Sequence, residues 1–166
     1  CNTEHHGGDD QAVYAFARED LDDWERELGR TLPSGVFGEN LTTEGLDVSG
    51  ALIGERWRIG SEVVLEVTSG RVPCLNFQRH LGERQWVKRF TRQGAPGAYL
   101  RVIRPGEISA DDPIEIVHRP GHDVTVALAF RATMNEHELL PRLLAAEETL
   151  HPELLEWARK YVAEHG

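Results

Sequence analysis

Apolar side chains recur at helical spacing in the first part of the chain. Leu21, Trp24 and Leu28 stand at positions i, i+3 and i+7, which places them on one face of a helix. Acidic residues crowd the first turn of this segment, and Gly29 stands where a C-terminal cap belongs. The spacing therefore predicts an amphipathic helix over residues 19–28.

Most of the remaining segments carry short apolar runs or alternating apolar and polar positions, which are typical of β-strands. Turns rich in glycine, proline and aspartate separate them. The predicted strands cover residues 11–17, 39–43, 56–59, 62–68, 98–104 and 113–118. Between the fourth and the fifth of these, residues 79–92 have Trp86, Val87 and Phe90 on one face and predict a second helix.

The pattern changes after residue 121. Residues 124–128 alternate between apolar and polar positions and predict a strand. Two helices are predicted next, over residues 135–146 and 152–164, with Asn135 as the N-cap of the first. The chain thus divides into a β-rich part and a helical C-terminal part.

The order of these elements favours a barrel. Several short strands follow one another without regular alternation with helices, which disfavours a parallel βαβ sheet. The predicted fold class is mainly β with helices (α+β), with a β-barrel domain over residues 1–121 and a small helical appendage over residues 122–166. The apolar faces of the C-terminal helices need a partner, which is either the barrel or a second subunit in a homodimer.

Length and composition limit the class of protein. The 166 residues suit one domain with a small appendage, and a net charge of −10 argues against a nucleic-acid partner. No stretch approaches the ~20 apolar residues of a membrane span, so no membrane partner is expected. Two cysteines are too few for a disulfide framework, which favours a cytoplasmic location. Because the chain opens with Cys1 rather than Met, we expect that N-terminal residues are missing from this sequence.

Charge is distributed unevenly along the chain. Residues 55–104 carry 10 basic and 4 acidic side chains, whereas the segments on either side have net charges of −9 and −7. A basic middle in an acidic chain indicates either an anion-binding surface or a chance alternation of solvated faces. The charge pattern by itself leaves both interpretations open.

Three short segments contain residue types suited to chemistry, and the first is at the N-terminus. His5 and His6 precede Gly7 and Gly8, so imidazole donors stand next to backbone that a ligand can approach closely. A surface turn is the alternative. A structural zinc site is a less favoured alternative, because adjacent histidines rarely bind the same zinc ion.

The second segment is a polar loop. Gly38, Glu39 and Asn40 are followed by two threonines, which brings backbone N–H groups and amide donors together over a few residues. Such a loop could cradle an anion or a heterocycle. A tight turn in which Asn40 satisfies its own backbone explains the same composition.

The third segment follows the predicted strand 62–68 and reads Arg71-Val72-Pro73-Cys74. Pro73 restricts the backbone and puts Cys74 at a defined place at the exit of the strand, while Arg71 would favour a thiolate. A thiolate can act as a nucleophile or as a soft ligand for a transition metal. A buried structural cysteine is the alternative.

Taken in this order, the segments resemble the MOSC domain family, named for the C-terminal domain of molybdenum cofactor sulfurase. The matching stretches are His5-His6-Gly7-Gly8 with Gln11-Ala12-Val13-Tyr14, residues 35–43, Ile53-Gly54-Glu55 and Arg71-Val72-Pro73-Cys74. Ordered agreement over several segments is more specific than any one of them, and it covers most of residues 4–118. The tail from about residue 122 resembles the helical extension of the stand-alone bacterial, YiiM-type branch.

The resemblance implies a MOSC-type β-barrel that binds the molybdenum–pterin cofactor (Moco), and the family is also associated with pyridoxal phosphate binding. Cys74 matches the family's invariant cysteine, which is thought to ligate molybdenum or to carry sulfur. The candidate cofactor contacts are His5, His6, Gly38, Glu39, Asn40 and Arg71.

For the YiiM-type branch, the resemblance implies reduction of small N-hydroxylated compounds as a detoxification, with Cys74 as catalytic residue and molybdenum ligand. Electrons would come from a separate electron-donor protein, because the sequence has no flavin, haem or iron–sulfur motif. The alternative from a different class is a carrier that holds the cofactor, or sulfur as a Cys74 persulfide, without turnover. A degenerate barrel in which Cys74 is structural is a third hypothesis.

Overall fold

A six-stranded mixed sheet is the centre of this computed structural model, which describes residues 9–166. Its strands are β1 (Val13–Ala17), β2 (Leu41–Thr43), β3 (Arg56–Ile59), β4 (Val63–Gly70), β5 (Ala98–Arg104) and β6 (Ile114–His118). They lie in the order β2-β1-β5-β4-β3-β6, with β1 parallel to β2 and the other neighbours antiparallel. The sheet forms a half-barrel with several helices around it, which confirms the predicted α+β class.

Helices follow β1, connect β4 with β5 and make up most of the segment after β6. They are α1 (Arg18–Leu28), α2 (Leu75–Leu81), α3 (Trp86–Gln93), α4 (Val126–Met134) and α5 (Pro152–His165), with 3₁₀ helices at Asp9–Gln11 and His137–Ala146. The helices predicted over residues 19–28 and 152–164 are confirmed as α1 and α5. Among residues 9–166, no helix is long and apolar enough to cross a membrane.

The single helix predicted over residues 79–92 is wrong, because the chain forms α2 and α3 there. Gly82 ends α2 with a left-handed backbone, φ 72°, and Gln85 is left-handed as well. This reversal brings the apolar residues of both helices into one aromatic cluster, to which they contribute Phe77, Leu81, Trp86 and Phe90. Burial of these residues in the aromatic cluster stabilises the break between α2 and α3. The spacing of apolar residues along one segment cannot predict such a break, because the cluster also contains residues from elsewhere in the chain.

The strand predicted over residues 124–128 is also wrong. Leu52 and Thr125 form an isolated antiparallel bridge, and α4 begins directly afterwards. The Thr125 hydroxyl oxygen caps α4 by accepting from the Leu128 N–H at 3.0 Å. Because α4 packs against β4 and is buried over most of its surface, its apolar residues do not show the one-sided spacing of an exposed helix.

Asn135 ends α4 instead of capping the next helix, since its backbone N–H donates to the Arg131 carbonyl at 3.1 Å. The segment that follows, His137–Ala146, is a 3₁₀ helix with Pro141 inside it. Proline has no N–H to donate, so it interrupts an α-helical ladder at this point. The helix predicted over residues 135–146 therefore exists at nearly that place, but it is a 3₁₀ helix and not an α-helix.

Two hydrophobic clusters lie on opposite faces of the sheet, as alternate residues of β1 show. Ala15 and Ala17 belong to the first cluster, whereas Tyr14 and Phe16 belong to the second, which also holds the aromatic residues of α1, α2 and α3. The segments after residue 123 contribute to the first cluster together with β3, β4 and β5. The division of the chain at residue 121 stays a prediction. Among the C-terminal segments, α4 packs on β4, and the 3₁₀ helix His137–Ala146 packs on both α4 and α5.

Candidate functional site

Cys74 lies where the chain passes from β4 into α2. Residues 71–74 form the connection, and the Cys74 backbone is extended, with φ −135° and ψ 172°. Pro73 is buried and restricts the backbone of this connection. Cys74 is half-buried, carries a free thiol and packs against the aromatic cluster. The thiol is therefore held at the boundary between a rigid aromatic core and solvent.

Arg71 is fixed between two aromatic rings. Its guanidinium carbon lies 3.8 Å from the centroid of the Phe77 ring and 5.0 Å from that of Tyr14, and it also donates to the Phe37 carbonyl. Contacts of this kind hold a guanidinium in place by its attraction to the ring faces. Among the described residues Arg71 forms no ion pair with a carboxylate, so its charge can act on an anion near Cys74.

The loop before β2 is organised by a carboxylate of its own. Glu39 is buried, and its side chain accepts hydrogen bonds from the backbone N–H groups of Gly35 and Phe37, the latter at 3.0 Å, and from the Thr42 hydroxyl at 3.2 Å. Gly38 adopts a left-handed backbone, φ 81°, as the turn requires. Two of the N–H groups that could have cradled an external anion are therefore occupied by Glu39.

Asn40 connects this loop to β1. Its side-chain Oδ1 accepts from the Tyr14 N–H at 2.8 Å, and its backbone N–H donates to the Tyr14 carbonyl at 2.8 Å. Asn40 is exposed, so the rest of its amide group faces solvent. Through Tyr14, the structure brings Asn40 to the same end of β1 as the guanidinium of Arg71.

Two tyrosines complete the site. The sequence placed Tyr14 in a matching stretch but not among the candidate contacts, and it did not single out Tyr99. The rings of Tyr14 and Tyr99 lie 5.1 Å apart, and the buried Tyr14 hydroxyl donates to the Pro96 carbonyl at 2.6 Å. Burial raises the pKa of Tyr99, against the opposing effect of Arg71, and the negative charge of a Cys74 thiolate raises it further. Tyr99 thus lies close enough to Arg71 and Cys74 for the charge of each to affect its pKa. Strand pairing brings it there from 25 residues further along the chain, because Tyr99 of β5 lies opposite Ser69 of β4 on one side and Tyr14 of β1 on the other.

Burial likewise raises the pKa of Tyr14 far above its ordinary value, while the nearby Arg71 lowers it. Both phenols therefore stay protonated at neutral pH. The site presents one thiol, one fixed guanidinium and two protonated phenols around the exit of β4.

The other basic residues of segment 55–104 do not all gather at this site. Several pair with carboxylates elsewhere on the sheet or on the helices: Arg56 with Glu66, Arg58 with Glu115, Arg89 with Glu83 and Arg101 with Glu66. Arg71 lies at the exit of β4, whereas these four arginines form ion pairs elsewhere.

The two histidines of the N-terminal segment, His5 and His6, lie outside the described residues. Within residues 9–166, no cluster of three or more His, Cys, Asp or Glu side chains could hold a metal ion by itself.

Comparison with known proteins gives a family match over most of the chain. The family model described as MOSC domain matches residues 2–115. The chain is 34% identical over 134 residues to the uncharacterized protein YflK of Bacillus subtilis, covering 81% of this chain and 59% of that protein. It is 34% identical over 148 residues to protein YiiM of Escherichia coli, covering 85% of this chain and 65% of that protein.

A protein named reductase from Gibberella moniliformis is 32% identical over 118 residues, which are 69% of this chain and 21% of that protein. The chain thus spans less than two thirds of the length of these relatives. Among solved structures, YiiM from Geobacillus stearothermophilus superposes with a TM-score of 0.84 at 26% identity, covering 93% of this chain and 80% of that one. YiiM from Escherichia coli superposes with a TM-score of 0.78 at 28% identity, covering 96% and 81%.

Proposed function

This chain belongs to the MOSC domain family, and from that premise we propose that it binds the molybdenum cofactor and reduces small N-hydroxylated compounds, with Cys74 as the protein ligand of molybdenum. The proposal includes a cytoplasmic location, where reducing conditions keep Cys74 a thiol. It is supported by the likeness to YiiM proteins and to a protein named reductase.

The observation that carries the proposal is the half-buried Cys74 thiol three residues after Arg71, whose guanidinium is fixed on Phe77, with both groups close enough to Tyr99 to affect its pKa. A thiolate is a soft ligand that suits a transition metal, and a guanidinium suits the phosphate of a pterin cofactor. The donor types present at the site therefore fit the cofactor. Glu39 does not contribute to such a fit, because its carboxylate is used inside its own loop.

Reduction of an N-hydroxyl group consumes two electrons and two protons and releases an amine and water. When bound, the molybdenum cofactor supplies the redox chemistry, and a separate electron-donor protein supplies the electrons. In the chain itself, Cys74 would hold the metal and Arg71 the phosphate. Tyr99, whose pKa is raised by burial, would hold a proton at its hydroxyl oxygen beside Cys74.

The test measures cofactor content and activity on the same protein. Molybdenum is quantified by mass spectrometry and the pterin by fluorescence after oxidation. Activity is then followed as conversion of N-phenylhydroxylamine to aniline, with reduced methyl viologen as electron donor. We expect wild type to contain molybdenum and to turn over.

Cys74→Ser removes the soft ligand at nearly constant volume. It should lose molybdenum and activity while changing the free energy of unfolding by about 1 kcal/mol or less, since the residue is only half-buried. Asn76→Ser, at an exposed position two residues further on, is the matched control and should keep both. Cofactor binding without turnover would indicate a carrier. Unchanged activity in Cys74→Ser, with a large loss of stability, would indicate a structural cysteine.

A further inference from the structure

Most of the unpaired positive charge of this acidic chain lies on α2, on α3 and between them. Residues 75–93 carry five basic side chains and one acidic side chain, whereas the whole chain has a net charge of −10. The acidic residue, Glu83, forms ion pairs with Arg30 and Arg89. The other four basic residues are exposed and form no ion pair among the described residues. They are Arg79, Arg84, Lys88 and Arg92.

Both helices bury their aromatic residues in the aromatic cluster and leave other side chains in water. On α2, Leu75 and Arg79 are four residues apart, so they lie on the same face, and both are exposed. On α3, the same spacing places Lys88 and Arg92 together on an exposed face. These four residues, with Arg84 between the two helices, define the α2–α3 surface.

An apolar side chain stands in this surface directly after Cys74. Leu75 is 61% exposed, more than any other large apolar side chain that the structure describes. Protein interfaces combine apolar side chains with a polar rim, and Leu75 with the cations around it has that composition. A helix rises by 1.5 Å per residue, so Arg79 lies only about 8 Å along α2 from Cys74. A protein bound to the α2–α3 surface would therefore lie next to the thiol.

A cleft of about 560 Å³ between α3 and α4 adds to the positive surface. Lys88, Arg92 and Arg131 line it, and the Arg131 guanidinium is already held by two hydrogen bonds to the Glu136 carboxylate. Lys88 and Arg92 are one helical turn apart, so both can contact one carboxylate placed between them. The cleft thus has room and free cations for an acidic side chain of a partner.

The surrounding charge limits the kind of partner. The neighbouring helix α1 carries six acidic residues, and its Glu27 pairs with Arg89 of α3. A nucleic acid or an anionic membrane extends beyond the α2–α3 surface and would also meet these carboxylates, which repel it. A compact acidic face would meet the cations first, because salt screens charges that are more than about 10 Å away. The surface therefore fits a small acidic protein.

We propose that the α2–α3 surface is the docking site of the electron donor, a small redox protein with an acidic face around its redox group. This inference rests on the proposed reductase function and assigns the surface through which electrons arrive. For each N-hydroxyl group reduced, two molecules of a one-electron donor are oxidised, and two protons come from solvent. Redox encounters use small interfaces, below about 1,200 Å², and complementary charge accelerates them.

Binding of flavodoxin, an acidic one-electron carrier, tests the docking without cofactor or turnover. Isothermal titration calorimetry measures its affinity for the whole chain at low and at high salt. We expect binding at about 50 mM salt and an affinity at least about tenfold weaker at about 300 mM, because salt screens exposed charges. Absence of binding at the lower concentration overturns the proposal, and so does an affinity that does not change with salt.

Charge reversals test the assigned residues. Arg79→Glu and Lys88→Glu should each weaken flavodoxin binding about three- to tenfold. Arg104→Glu is the matched control, because Arg104 is exposed and lies opposite Val64, at the other end of β4 from Gly70. It should change the affinity less than about twofold. An equal loss in the control would mean that only net charge matters and would overturn the assignment. All three positions are exposed, so these substitutions should leave the fold intact.

Electron delivery is measured on the cofactor-loaded protein. The rate of N-phenylhydroxylamine reduction with reduced flavodoxin is divided by the rate with reduced methyl viologen, a small donor that needs no docking surface. Lys88→Glu should lower this ratio about three- to tenfold, whereas Arg104→Glu should keep it within about twofold. An unchanged ratio in Lys88→Glu overturns the docking proposal and leaves the reductase function standing. Absence of turnover with methyl viologen in wild type contradicts the reductase function, and the calorimetry still decides whether the surface binds an acidic protein.

Vesicles that contain phosphatidylglycerol test a membrane as the alternative partner. We expect the protein to stay in the supernatant when the vesicles are sedimented. Sedimentation with the vesicles that is lost in Lys88→Glu would overturn the choice of a protein partner and would indicate a lipid surface.

Discussion

Arg71 is held by two ring faces and one carbonyl, so its guanidinium is both a structural connection and a fixed positive charge beside Cys74. A planar guanidinium can stack on Phe77 and donate to Phe37 at the same time, because its N–H groups lie in the plane of the stack. An ammonium group has no such plane. Position 71 therefore requires the planar guanidinium of arginine and not only a positive charge.

Arg71→Lys keeps the charge and removes the stack. We expect it to lower the free energy of unfolding by about 1–2 kcal/mol through loss of the cation–π contacts and the hydrogen bond. Urea denaturation measures the change. Arg79→Lys, at an exposed position on α2, is the control and should change stability by less than about 0.5 kcal/mol. Equal losses in the two variants would contradict the structural role of Arg71.

Asp20 is a titrating group outside the site. Burial raises its pKa to about 6, and the neighbouring carboxylates of Asp23, Asp47 and Glu19 add to the effect. Since this is above the usual value of 3.8, the folded state holds the proton more tightly than the unfolded state does. The stability that the group contributes is complete below about pH 4 and is lost as the pH rises through 6.

Asp20→Asn removes this titration. Its stability relative to wild type should rise by about 1 kcal/mol between about pH 4 and about pH 7, a figure reduced for the solvent screening of a partly exposed carboxyl. Urea denaturation of both proteins at the two pH values measures the difference. A stability difference that is the same at both would show that Asp20 does not titrate in this range.

At the scale of elements, the contact between β4 and α4 positions the chain before Cys74. Gly70 is the last residue of β4, and a Cβ there would meet Pro96 at 2.9 Å and Val126 of α4 at 3.2 Å. The absence of a side chain thus allows the helix to lie against the end of the strand.

Gly70→Ala should therefore destabilise the protein by about 1–3 kcal/mol, as overpacking of a core does. Thermal unfolding followed by circular dichroism measures the loss. Gly121→Ala is the control, because no atom lies within 4 Å of an added Cβ at that position. A loss no larger than that of the control would mean that α4 can move away from β4 without penalty.

At the scale of the whole molecule, the C-terminal helices complete the core. Val126, Leu140 and Ala158 come from three successive helical segments and belong to the same cluster as Trp57 and Leu65 of the sheet. One face of the half-barrel is buried by these segments. The sheet and the C-terminal segments should therefore unfold as one unit. Whether the chain forms a homodimer stays a prediction.

Deletion of residues 126–166 should abolish cooperative thermal unfolding, because it would expose the apolar face of β3, β4 and β5 to water. Scanning calorimetry tests this. Deletion of the exposed residues 162–166 is the control and should leave the transition in place. A cooperative transition in the longer deletion would show that the sheet folds without its helical cover.

Several parts of this protein were predictable from the sequence, because the deciding interactions are local. The helix α1 follows from Leu21, Trp24 and Leu28, and the hairpin of β3 and β4 follows from alternation on either side of a Gly-Ser turn. The motif residues in their order predicted the MOSC family, which the comparisons confirm. Cys74 at the end of a strand was predictable for the same reason, since the strand and the motif are continuous in the chain.

Only the tertiary structure decided which of these residues meet. The break at Gly82 and the helical state of residues 126–134 depend on burial against partners far away in the chain. The Glu39 carboxylate accepts hydrogen bonds from backbone N–H groups of its own loop. Tyr99 lies near Cys74 only because its strand pairs with the neighbouring strands of the sheet. Periodicity shows which face of a segment is apolar, but the partner of that face is set by packing between segments that are distant in the chain. That packing brought the residues of the site together.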